Sequence, residues 1–132
     1  MAGPFIFIGT HALKEGQLDN FKQYLPEFIA TVEAHEPRLI HFGAYFNEEG
    51  TEVSFVQVHP DSDSMEFHMQ VVKEHVENAY VDYLAETKNI QIYGSPSGAA
   101  LGMMRQLAGS GVSVGIKNED KGFSRLPEGE LA

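Results

Sequence analysis

The chain has 132 residues, 42% of them hydrophobic, which fits one compact domain with its own core and little room for a second. A formal charge of -10 argues against a nucleic acid or an anionic membrane as partner, since either would be repelled rather than steered in. The absence of cysteine excludes disulfides, thiolate metal sites and a cysteine nucleophile, and fits a cytosolic protein.

The opening "MAGPFIFIGTHALKEG" lacks a basic leader, and no apolar run approaches the roughly 20 residues a membrane span needs, so a soluble, unprocessed chain is expected. "PFIFIGTHAL" reads as a first strand closed by Lys14, Glu15 and Gly16. Leu18, Phe21, Leu25, Phe28, Ile29 and Val32 then recur at helical spacing, with a kink or break expected near Tyr24 and Leu25 because Pro26 interrupts the pattern. "EPRLIHFGAYF" and "TEVSFVQVH" form two strands joined through "NEEG" as a hairpin. A second helix is expected from about Asp63 to Ala85, opened by a capping box of Asp63 and Glu66, and "KNIQIYG" is the fourth strand.

The order β-α-β-β-α-β predicts an α+β, ferredoxin-like antiparallel sheet with both helices on one face. Residues 1–94 make this domain, and residues 95–132 a C-terminal helix and tail, either part of the same domain or an arm reaching to a partner. Ser97 is the expected cap of a helix through Leu107, Gly109 its stop signal, and "VSVGIK" a short added strand. The polar end that follows offers Phe123 and Leu126 as apolar exceptions. Met103 and Met104 suit an adaptable ligand surface or, preferably, packing against a dimer.

Strand residues such as Phe5, Ile6, Phe7 and Ile8 are apolar on both faces, yet two helices cover only one. A second copy packed on the open face, giving a homodimer, is the expected solution, and the tail folding back over that face is the alternative.

The segments "KEGQLDNFKQYLPEFIATVEAHEPRLIHFGAYFNEEG" and "VSFVQVHPDSDSMEFHM" resemble the antibiotic biosynthesis monooxygenase family. The likeness runs from about Phe5 to Tyr93 and rests on Glu36-Pro37 at the strand entry, Tyr45, and the Ser64 to His68 spacing. It implies a dimeric α+β barrel and, in some members, oxidation of phenolic polyketides or quinols by molecular oxygen with no cofactor. The chain has no tryptophan, whereas haem-degrading relatives and several polyketide oxygenases are associated with an active-site tryptophan, so neither site can be carried over.

Pairing the hairpin across "NEEG" aligns Ile40 with Gln57, Phe42 with Phe55 and Ala44 with Val53, which puts His41, Gly43, Tyr45 and Ser54 on one face. A polar pocket for a ring, with Gly43 leaving room, is one reading. Residues that merely fill the sheet and find polar partners are the other. On the second helix Met65, His68, Met69, Val72, His75 and Tyr80 form an inward stripe, and Ser64, one turn from His68, is expected to orient its imidazole. His68 and His75, seven residues or roughly 10 Å apart along the axis, cannot share an ion, although His41 and His68 could still converge. His59 before Pro60 reads as a strand end, and His35 as solvated beside Glu36.

The catalytic candidates are therefore His68, Ser64 and His41, with Tyr45, Ser54, Gly43 and Val72 as substrate-binding candidates and no metal or other cofactor. The expected reaction is oxidation of a small aromatic or quinol-like substrate, His68 acting as base. A non-catalytic dimeric ligand-binding protein and an acid-base isomerase or decarboxylase are the alternatives.

Overall fold

The computed structural model describes residues 4–109 and 111–125. Leu126 lies outside them. The apolar run after Pro4 becomes β1 (Phe5–Leu13), the middle of a five-stranded sheet. It pairs antiparallel with β3 (Glu52–His59) on one side and β4 (Leu84–Tyr93) on the other. β2 (His41–Phe46) lies outside β3, and β5 (Ser113–Lys117) outside β4, in the order β2-β3-β1-β4-β5. The architecture is α+β and ferredoxin-like, as expected, but the sheet is mixed rather than antiparallel. β5 runs parallel to β4 because α3 (Gly98–Ala108) carries the chain back along the sheet before the strand begins.

α1 (Leu18–His35) runs through Pro26 as one helix, without the expected break. Proline removes one backbone hydrogen bond there, and burial of Phe21, Leu25, Phe28 and Val32 on both sides of it outweighs the loss. α2 (Ser62–Asp82) is capped by Asp61, whose carboxylate accepts from the Ser64 amide at 3.0 Å, in place of the Asp63 and Glu66 box. It stops short of Ala85 because Leu84 already pairs with Leu13 at the start of β4.

The hairpin pairs Phe42 with Gln57 and Ala44 with Phe55, two residues from the expected register. Asn47 sets it by accepting from the Thr51 and Glu52 amides across the turn. A shift of two keeps every side chain on its expected face. Gly50, at φ 71°, supplies the left-handed residue that closes the loop.

All three helices cover the same face. Phe21, Leu25, Phe28, Val53, Phe55, Val72 and Leu84 form one part of the core, and Phe5, Phe7, Met65, Met69, Ile92, Ala100 and Met104 the other. Met104 therefore packs inside the chain's own core, with Met103 partly buried beside it. The tail adds α3 to the helical layer and β5 to the sheet edge, and residues 118–125 that follow β5 are exposed. On that face Ile6, Ile8, Val56 and Val58 lie side by side in register. Phe123 is 80% exposed. No described helix is long and apolar enough to cross a membrane.

Candidate functional site

Between the helical layer and the sheet lies a cavity of about 90 Å³. Its walls are largely apolar, from Phe28, Phe42, Phe55, Met65, Met69, Val72, Ile90 and Met104. Polar side chains enter it in two places.

The first is built around His68, which lines the cavity and is 2% exposed. Its Nδ1 lies 2.8 and 2.9 Å from the two carboxylate oxygens of Glu36, which is also buried. Glu36 is brought there by the end of α1: Pro37 favours an extended Glu36 (φ -127°, ψ 75°), and the helix stops with the carboxylate turned inward. A carboxylate can only accept, so Nδ1 carries the hydrogen, and in the neutral ring Nε2 is left with a lone pair. No described residue hydrogen-bonds Nε2. Phe42 holds the ring from the sheet side, at 5.4 Å between centroids.

His59 meets His68 edge to face at 5.7 Å but makes a separate set of bonds. Gln57 Oε1 accepts from Nε2 at 2.9 Å, and the Ser64 hydroxyl donates to Nδ1 at 2.7 Å. Both ring nitrogens are thus used. Burial first, and the neighbouring His68 second, push His59 down to about 3, so it stays neutral. Gln57 also lines the cavity, with its amide NH₂ left as a donor.

The second polar place is the group His11, Tyr80 and Thr87. Thr87 Oγ1 and the Tyr80 hydroxyl lie 3.0 and 3.1 Å from His11 Nδ1, and they contact each other closely. A register shift in β4 puts Thr87 opposite His11, a bulge re-aiming a side chain towards a site. Burial pushes His11 down to about 4 and the Tyr80 phenol up, so both are neutral.

The sequence candidates separate into two groups. His68, Val72 and Ser64 are buried on the helix side, His68 and Val72 lining the cavity. Ser64 does not orient His68; its hydroxyl is taken by His59, because the side chain points from the first turn of α2 towards the end of β3. Glu36 orients His68 instead. His41, Gly43, Tyr45 and Ser54 lie on the open face of the sheet, where His41 Nε2 meets the Tyr45 hydroxyl at 3.0 Å and Ser54 bonds Thr10 at 2.8 Å. His41 cannot join His68, since it faces away from the helices while its strand neighbour Phe42 packs on the His68 ring. His75, expected on the inward stripe, is tied to the Tyr24 hydroxyl and stacks on Phe28.

Glu36, Gln57, His11 and Tyr80 were not among the site candidates, although each leaves a trace in the sequence, Tyr80 through its place on the inward stripe of α2. Glu36 extends the stripe Phe21, Leu25, Phe28, Val32 by one more turn. His11 and Gln57 share the strand parity of Phe7 and Phe55.

No known family profile matches the chain, and no curated protein matches it in sequence. Solved structures do match. MupZ from Pseudomonas fluorescens superposes with a TM-score of 0.72 at 24% identity, over 95% of this chain and 91% of that one. Candidate antibiotic biosynthesis monooxygenases from Caulobacter crescentus and Nitrosomonas europaea give TM-scores of 0.62 and 0.60 at 13% and 16% identity, over 73% and 72% of this chain and 92% of each of theirs. The chain has their fold. The span shared with MupZ is too long to leave out both α3 and β5, so at least part of the C-terminal addition falls within it.

Proposed function

We propose that the protein is a proton-transfer enzyme in which His68, oriented by Glu36, acts as general base on a small, largely apolar aromatic substrate. The observation that carries this reading is the buried contact of Nδ1 with the Glu36 carboxylate, which leaves Nε2 as the ring's acceptor at a cavity wall. The candidate monooxygenases of the same fold favour oxygenation as the reaction, and we read it as one in which the substrate itself supplies the electrons. His68 takes a phenolic proton, and the electron-rich anion reacts with molecular oxygen as a C–O bond forms on the ring. Cleavage of the O–O bond and loss of the ring hydrogen leave a quinone. One oxygen atom stays in the product, the other leaves as water, and all four electrons come from the substrate. Gln57 NH₂ is placed to hold the substrate oxygen, and Phe42 and Val72 to flank the ring.

A second reading has its own observation. His11 and Tyr80 at another point of the same cavity could return a proton, which suits an acid-base isomerase that consumes no oxygen. We further propose that two copies pair through the open faces of their sheets into a barrel, where the strip Ile6, Ile8, Val56 and Val58 would be covered.

Turnover in an oxygen electrode separates the reactions. His68→Ala should lower turnover of a competent phenol by roughly 100-fold or more while the far-ultraviolet spectrum is kept. Undiminished turnover in that variant would remove the base, and turnover without oxygen uptake would favour isomerisation.

A further inference from the structure

A second depression lies outside the cavity, between α2 and α3. Gln70, Lys73, Glu77 and Gln106 supply its polar rim, and Met69, Val76 and Tyr80 line both it and the cavity. Three side chains thus form a partition with the reaction cavity on one side and a solvent-facing groove on the other. α3 spans it from above: Met104 points into the cavity, and Met103, its neighbour, into the groove.

We propose that this groove is the mouth of the cavity and the binding site for the polar tail of an elongated substrate, whose apolar reactive end lies against His68. The inference rests on the reading of the cavity as a substrate site. Methionine and an aromatic side chain suit a partition that must part, since Met69 repacks through three rotatable bonds. From His68 to Tyr80 is twelve residues of α2, about 18 Å at 1.5 Å per residue. A cavity of about 90 Å³ reaching both residues is therefore narrow. It suits a single ring continued by a chain better than a fused-ring system. The charge of the tail follows from the rim. Lys73 and Glu77, one turn apart on α2, offset each other, and the chain as a whole carries -10, so a neutral hydroxyl or amide is favoured over a carboxylate.

Calorimetric titration with three probes tests this: 4-ethylphenol, 4-(6-hydroxyhexyl)phenol and its chain-end carboxylate analogue. The hydroxyl probe should bind about tenfold more tightly than 4-ethylphenol and more tightly than the carboxylate. In Gln106→Trp, a change at an exposed site that fills the groove from α3, the ratio of long to short probe affinity should collapse towards one. Gln70→Trp should do the same from α2. Equal affinity of the long and short probes for the unsubstituted protein, no measurable binding of the long probe, or a ratio unchanged in both variants would overturn the groove assignment. A carboxylate that binds more tightly would overturn the neutral tail. The histidine ring signals of ¹⁵N-labelled protein report separately on the catalytic reading. 4-Ethylphenol that binds without moving the His68 signal removes the base and leaves the comparison of tails intact.

Discussion

His41 and Phe42 are consecutive in β2, yet their rings enter different chemical settings. Phe42 faces the helices and packs on His68, while His41 faces away and shares a hydrogen bond with Tyr45, itself 53% exposed. Both faces of the sheet therefore carry a histidine near a hydroxyl or carboxyl group. On the helix side the pair is dry, each ring nitrogen has an assigned role, and the contact with Glu36 is made in a medium where electrostatics are strong. On the open face water competes for the same groups. The same residue types become a candidate catalytic site only where α1 and α2 exclude solvent.

The sharpest way to break this contrast is to remove the carboxylate. Glu36→Ala leaves the Nδ1–H of a buried ring without its acceptor and should destabilise the fold by about 1 to 3 kcal/mol in urea unfolding. A loss below about 1 kcal/mol would mean that the pair is not the dry contact described.

Acid tests the helix side more gently. Burial holds His11 at about 4 and His59 at about 3 in the folded chain, against an ordinary value of 6.5. Between these values the unfolded chain binds more protons than the folded one, so stability is full above about pH 6.5 and falls as the pH drops towards 4 and then 3. Urea midpoints near pH 7 and near pH 5 should differ, with the lower midpoint in acid, and His11→Phe should shrink the difference. Equal midpoints would mean that neither ring is held neutral.

The smallest effect on folding is expected on the open face. Val56→Lys should change the unfolding free energy of a protomer by no more than about 0.5 kcal/mol. It should nonetheless convert the proposed dimer to a monomer in light scattering. An unsubstituted protein that is already monomeric at micromolar concentration would remove the barrel.

Much of this architecture was legible because it depends on periodicity. Alternation fixes the faces of a strand, and even the two-residue slip in the hairpin preserved them. The C-terminal helix was legible through its cap and stop: Ser97 accepts from the Ala100 amide, and Gly109 closes the last turn at φ 89°. The site was less legible, since its partners are set by tertiary distance. Ser64 and His68 are one turn apart, but His59 lies nearer the serine hydroxyl, and Glu36 reaches His68 from 32 residues away. Burial of a carboxylate is likewise hidden when its neighbours are His35 and Pro37. Only the continuation of the α1 stripe marks Glu36 as inward.

The bonds of His59 have a consequence for isotopes. Both of its nitrogens are occupied by Ser64 and Gln57, and it touches His68 only through ring edges, so it offers no relay for a proton held on His68 Nε2. The other neighbour, Glu36, is itself shut away from solvent at 4% exposure. As the proposed base, a ring so enclosed should keep what it takes. If the substrate gives up deuterium from carbon, the label should return to the same molecule more often than it washes into water, and retention of label would record how well the site is sealed.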